Sequence, residues 1–235
     1  KESGMHVDWS DERNNGRSID VAFSGVLREE QVAALKDMLA YDDGILSATT
    51  AFGKTVVGAA LIAKRKVNTL ILVHRKQLLT QWKERLGTFL EIREQLPEAP
   101  KKRGRKKLRE IIGTFGGGKD TRGGIVDIAI MQSMGEADSV KPWIADYGMV
   151  IVDECHHVPA VSFEQVLKSV RAKYTYGLTA TPTRQDGHHP ILTMYLGDIR
   201  HRVDAKAQAE KRPFTHVMIP RFTGASFHLD QEQKA

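Results

Sequence analysis

Apolar residues along these 235 positions fall into two alternating patterns. Short unbroken runs, such as Leu70-Ile71-Leu72-Val73 and Met149-Val150-Ile151-Val152, read as strands buried on both faces. Strands are predicted near 45–49, 69–74, 125–131, 149–153, 175–180 and 199–203. Helices are predicted near 28–40, 54–65, 75–88, 160–172 and 189–196; Val161, Gln165, Val166 and Val170 carry the helical spacing in one of them. Alternation of this kind predicts an α/β fold, a doubly wound and mainly parallel sheet with helices on both faces. Residues 1–26 read as a lead-in with one strand near 19–23. Residues 113–124, rich in glycine and charge, read as a turn between two edge segments. Residues 206–235 read as a tail with a strand near 214–223.

Chemistry enters at the first strong strand–helix junction. Ala48, Thr49, Thr50, Ala51, Phe52, Gly53, Lys54 and Thr55 lie there, and Gly53-Lys54-Thr55 has the form of the end of a phosphate-binding P-loop. Backbone N–H groups at a helix N-terminus point at polyphosphate, and the helix dipole favours its charge. Lys54 can reach the β- and γ-phosphates, and the Thr55 hydroxyl can ligate Mg²⁺. The pattern begins with Ala48 where glycine is usual. A strand about a hundred residues later ends in Asp153-Glu154. Ligands of open α/β sheets bind at the carboxyl ends of strands. One carboxylate plus nucleotide phosphates can hold Mg²⁺, a role that suits Asp153. Glu154 can orient or deprotonate an attacking water.

Asp153-Glu154-Cys155-His156 resembles the D-E-x-H box of superfamily 2 helicases and translocases, and 48–55 resembles their first motif. Thr179-Ala180-Thr181-Pro182 is similar to their T-A-T-P motif. Leu70 to Arg75 with Gln81-Trp82 is similar to motif Ia, and Ile128 to Ser133 to the strand ending in Q-S. Leu27-Arg28 with Gln31 is similar to the adenine-recognition segment. The restriction-subunit-like DEAD/DEAH group is the nearest in flavour, and the segment 186–190 also looks familiar from it. The resemblance implies a RecA-like ATP-binding domain over 27–205 with a basic insert at 97–124. It also implies that the tail leads toward a second RecA-like domain of the same polypeptide. ATP and Mg²⁺ are the implied cofactors. Thr50 to Thr55 would hold phosphate, Gln31 would read adenine and Arg28 would pack near the base. Lys54, Asp153, Glu154 and His156 would carry catalysis, with His156 linking the nucleotide to Thr179 and Thr181. Arg75, Gln81, Gln132, Ser133, Thr179 and Thr181 would belong to the nucleic-acid side.

Composition narrows the partners. The net charge is +6, and Lys101, Lys102, Arg103, Arg105, Lys106, Lys107 and Arg109 supply more than all of it, leaving a nearly neutral body. Such a segment suits phosphate contact, with double-stranded DNA the expected partner. It reads equally as a solubilising loop or a localisation signal. Lys-Arg-Gly-Arg-Lys resembles an AT-hook core without its proline. No apolar run approaches the ~20 residues of a membrane helix, so no membrane partner is expected. Cys155 is the only cysteine, which excludes an internal disulfide and agrees with a reducing compartment; the family resemblance implies a cytoplasmic, bacterial setting. Its spacing to the histidines matches no common zinc signature.

The leading reading is the ATP-binding motor domain of a helicase or translocase, poor at turnover by itself because no Q-x-x-G-R-x-x-R finger is present. A P-loop GTPase or kinase is the second enzyme reading, and it lacks an N-K-x-D guanine motif. A non-motor nucleic-acid-binding module using the basic loop is the alternative outside catalysis.

Overall fold

The computed structural model describes residues 10–96, 108–136, 139–155, 160–180 and 189–203. The chain runs β1 (Val21–Phe23), α1 (Glu29–Leu39), β2 (Asp43–Ser47), α2 (Lys54–Arg65), β3 (Thr69–Val73), α3 (Lys76–Phe89), β4 (Leu90–Ile92) and β5 (Ile112–Gly116). It continues through β6 (Lys119–Asp120), β7 (Val126–Ile130), β8 (Gly135–Glu136), β9 (Ser139–Val140), β10 (Met149–Asp153), α4 (Ala160–Lys168), β11 (Tyr174–Thr179), α5 (His189–Leu196) and β12 (Ile199–Arg202). Eight strands form one sheet in the order β12-β2-β11-β10-β3-β7-β5-β6. Every neighbouring pair is parallel except β5 with β6.

Successive side chains of a strand point to opposite faces. Ile71, Val73, Met149 and Ile151 therefore join one apolar cluster with Leu61, Ile62, Trp82 and Leu86 of α2 and α3. Their neighbours Leu70, Leu72, Val150 and Val152 join the other, with Ile144, Val166, Leu192 and Leu196. This two-sided burial explains why the central strands read as unbroken apolar runs. The parallel arrangement brings the ends of β2, β3, β7, β10 and β11 to a common edge.

Two segments differ from the sequence expectation. The lead-in strand near 19–23 forms as β1, but it pairs antiparallel with β4 and stands outside the main sheet. Ile19 and Val21 are buried in the core, so this part of the lead-in packs as one body with the domain. The stretch near 113–124 holds more than a turn: β5 lies parallel to β7 as a strand of the main sheet. The turn shrinks to Gly117 and Gly118, whose φ values of 59° and 82° suit a tight hairpin. Glycine at 113 answers a close approach, because a Cβ there would lie 2.2 Å from Asp127 Oδ1.

Asp127 explains how this edge is tied down. Its buried carboxylate accepts hydrogen bonds from Gly123 N at 2.9 Å, Gly124 N at 2.7 Å and the Tyr147 hydroxyl at 2.7 Å. Burial pushes its pKa up, while those three donors pull it back. Asp127→Ala strands three donors at once, so urea unfolding should show a loss on the order of 3 kcal/mol. A loss below about 0.5 kcal/mol would contradict the anchoring role.

Candidate functional site: a nucleotide cleft at the strand ends

The loop after β2 places the first group. Gly53 has φ 84° in the left-handed region, and the chain turns there into α2. A side chain at this point would be strained, and its Cβ would lie 2.8 Å from Gln31 Nε2. The first N–H groups of any helix lack partners within it. The first turn of α2, Lys54, Thr55 and Val56, lines a cleft of about 770 Å³ together with Gln81, Trp82, Asp153 and Glu154.

Lys54 is 5% exposed. Its Nζ donates to the Ala48 carbonyl at 3.0 Å and stands 3.5 Å from Glu154 Oε1. Asp153 ends β10 within the same cleft. Its Oδ1 accepts from Glu154 N at 3.0 Å and its Oδ2 from Trp82 Nε1 at 2.7 Å. Burial is the main cause that raises the Asp153 pKa to about 6; the Trp82 bond and Lys54 oppose it, and the neighbouring Glu154 carboxylate adds to it. Glu154 has φ 48°, a conformation that costs a non-glycine residue on the order of 1–3 kcal/mol and persists only where its surroundings enforce it.

The donor set fits a nucleotide with a divalent cation. A nearly buried ammonium, a helix N-terminus and two carboxylates share one cleft, the groups that phosphate and Mg²⁺ need.

The remaining predicted residues divide into three groups. Arg28 and Gln31 meet the loop: Gln31 Nε2 donates to the Phe52 carbonyl at 2.8 Å, and the Arg28 guanidinium donates to the same oxygen. Gln31 Oε1 also accepts from Arg28 N at 3.0 Å, which caps α1 and fixes both residues against the P-loop. Arg75 and Gln132 are exposed just beyond the ends of β3 and β7, and Ser133 is half-buried beside Gln132. His156, Thr181, the 186–190 segment apart from the start of α5, the cations at 101–107 and the tail strand near 214–223 lie outside the described residues.

Two placements refine the sequence reading. Thr179 is fully buried and cannot touch nucleic acid here. It closes β11 between β2 and β10, and its carbonyl accepts from Ala48 N at 2.9 Å. Gln81 faces the nucleotide cleft, because Leu78, Gln81, Trp82 and Arg85 recur at the three- and four-residue intervals of one face of α3. Sequence reasoning also missed the bond from Trp82 to Asp153, although the same helical spacing marks Trp82 as inward-facing. Arg109, the last cation of the basic run, is held by the Arg122 and Gly123 carbonyls at 3.2 Å each. Cys155 is buried in an apolar cluster.

A parallel sheet with a P-loop at one strand end and paired carboxylates at another defines a P-loop nucleotide-binding domain of RecA-like architecture. Residues 24–184 match the family described as the Type III restriction enzyme, res subunit, and the chain belongs to that family. It is 31% identical over 185 residues to the DNA 3'-5' translocase XPB2 of Sulfurisphaera tokodaii, a match covering 79% of this chain and 37% of that protein. It is 30% identical over 190 residues to the putative helicase 109L of Invertebrate iridescent virus 3, covering 79% and 54%. Among solved structures, the UvsW helicase of bacteriophage T4 superposes with a TM-score of 0.58 at 18% identity, covering 80% of this chain and 69% of that one. The SWI2/SNF2 ATPase core of Sulfolobus solfataricus, solved with double-stranded DNA, gives 0.53 at 18% identity over 74% and 36%. These structural likenesses establish the fold, a RecA-like α/β domain. The chain thus spans about a third to a half of the curated relatives it matches. Among the described residues, no helix is long and apolar enough to cross a membrane.

The raised pKa of Asp153 has a consequence for stability. In the unfolded chain this carboxyl ionises near 3.8, whereas in the fold it keeps its proton to about 6. Between those values the folded state binds the extra proton. Its contribution therefore favours folding at low pH and is lost as pH rises from about 4 to about 6. Without metal, the stability difference between Asp153→Asn and the parent should shift in favour of the variant by on the order of 2 kcal/mol between pH 4 and pH 7. Chemical denaturation at both pH values checks this; a gap that is the same at both would contradict it.

Proposed function

We propose that this chain is the first of two RecA-like domains in an ATP-dependent motor that moves on double-stranded DNA. The observation that carries the reading is the nearly buried Lys54 ammonium, set 3.5 Å from Glu154 at the mouth of a P-loop helix, with Asp153 in the same cleft. Family membership supports nucleotide use, and relatives named as DNA translocases and helicases support the DNA partner.

In this reading Lys54 exchanges its Ala48 and Glu154 contacts for the β- and γ-phosphates. The Thr55 hydroxyl and Asp153 would hold Mg²⁺, which would neutralise charge on the phosphates. Thr50, Ala51, Phe52 and Gly53 wrap the phosphate chain with their backbone. Arg28 and Gln31, clamped on the Phe52 carbonyl, carry the state of the loop to the start of α1; to read adenine, Gln31 would have to exchange its bonds to Phe52 and Arg28 for the base. Glu154 accepts a proton from the attacking water. His156 and Thr181 relay nucleotide state toward the DNA side, where Arg75, Gln132 and Ser133 meet the strand. Lys101, Lys102, Arg103, Arg105, Lys106 and Lys107 add phosphate contacts of their own. A second domain supplies the finger that stabilises the transferring phosphoryl group, an effect of roughly 10³–10⁵ in rate in related systems.

Two sets of variants test this. Lys54→Ala should abolish binding of Mg²⁺·ATP in calorimetry while circular dichroism stays unchanged. In the protein carrying both domains, Glu154→Gln should bind ATP but hydrolyse it at least about a hundredfold more slowly. Equal ATP affinity in Lys54→Ala and its parent would sink the assignment. The basic run carries its own test. If about four or five of its cations meet phosphates, log affinity for duplex DNA should fall with log salt at a slope near −4. Replacing all seven with serine should flatten that slope and weaken binding to every sequence alike, leaving ATP binding untouched. An unchanged slope would reduce the segment to a solubilising loop.

A further inference from the structure

Helix α3 reaches into the cleft through one buried aromatic side chain. Trp82 is 1% exposed, and its ring is wedged against α2: a Cβ added at Gly58 would lie 2.7 Å from the far edge of the indole. That seat fixes the ring plane. The indole N–H then points at Asp153 and donates to its Oδ2 at 2.7 Å, joining residues 71 positions apart in sequence. Glu154 N takes the other oxygen at 3.0 Å. The carboxylate is thus held at both ends by N–H donors whose own positions are set by packing and by the strand end.

The choice of donor matters. An indole offers one N–H, accepts nothing and brings no charge. It can orient the carboxylate without competing for the cation as lysine or arginine would. Each carboxylate oxygen has a second lone pair, so both hydrogen bonds leave Asp153 able to bind a cation. Groups that orient a metal-binding carboxylate typically change metal affinity by about 10–100-fold when removed. Phenylalanine at 82 would keep most of the packing against Gly58 and lose only the donor.

We propose that Trp82 is a positioning residue for the Mg²⁺ carboxylate, holding Asp153 in the rotamer that meets the cation of a bound nucleotide. The inference rests on the nucleotide reading of the cleft. It also gives α3, whose first turn follows Arg75, a direct hold on the metal side of the site.

The test separates the donor from the packing. ATP affinity of the protein and of Trp82→Phe is measured by calorimetry, first in EDTA and then across a Mg²⁺ titration. Thermal melts of both proteins accompany each set. The expected result is metal-free ATP affinity within about twofold of the parent. The Mg²⁺ needed for half-maximal tightening should rise about 10–100-fold, and excess Mg²⁺ should restore parental affinity. A folded Trp82→Phe with the parental Mg²⁺ requirement overturns the proposal. So does an equal loss with and without metal, which would make Trp82 a packing residue alone. Should Trp82→Phe fail to fold, the indole N–H resonance of Trp82 in the parent protein provides the second reading. It should move when Mg²⁺ is added to the ATP-bound protein and when Asp153 is replaced in Asp153→Asn. A resonance indifferent to both overturns the proposal. A parent protein that shows no metal-dependent ATP binding instead brings down the reading of the cleft itself, and this inference with it.

Discussion

A positive charge has been taken almost entirely out of water at the end of β2, and the arrangement of the site follows from the need to compensate it. Among the described residues, the Lys54 ammonium meets the Ala48 carbonyl and the Glu154 carboxylate, with Asp153 also near enough to feel its charge. An ammonium in such a place is tolerated when oppositely charged groups are close and hydrogen bonds are complete. The parallel sheet meets that need by bringing the end of β10, with its two carboxylates, beside the P-loop. Helix α2 must begin at Gly53 because only glycine accepts both its positive φ and the nearness of Gln31. Gln31 and Arg28 in turn hold the loop from above through the Phe52 carbonyl. Sheet order, loop conformation and the placement of α1 thus serve one electrostatic requirement. Bound phosphate would meet the same requirement from the other side.

Much of this was legible in the sequence because the relevant signals are local. Strands β2, β3, β7 and β10 are buried on both faces, so each shows as an apolar run. The P-loop and the Asp153-Glu154 pair each lie within a few residues of a strand end. What escaped was nonlocal or masked by composition. Strand β5 hides behind Gly113 and Gly116, residues that close packing imposes on a strand otherwise written as Ile112, Thr114 and Phe115. The pairing of β1 with β4 joins segments nearly seventy residues apart and leaves no local trace. The bond between Trp82 and Asp153 spans a similar gap. The burial of Thr179 and the cleft-facing side of Gln81 stayed hidden for one shared reason. A motif fixes where a residue lies along the chain, whereas burial and helix rotation decide which side of the sheet edge it faces.

Contacts reaching Asp153 from α3 and Lys54 from β10 make the nucleotide cleft a meeting point of three elements. A cation or phosphate entering it must displace or reorient specific bonds. Lys54 has to leave the Ala48 carbonyl. A bound nucleotide would replace these internal contacts with its own.

A crystal structure of the protein with Mg²⁺ and a non-hydrolysable ATP analogue tests this account most directly. The account predicts phosphate density at the N-terminus of α2, with Lys54 Nζ turned from the Ala48 carbonyl to phosphate oxygen and Asp153 on the metal side of the site. An analogue bound elsewhere on the domain, or one seated in the cleft while Lys54 keeps its contacts with Ala48 and Glu154, would contradict it.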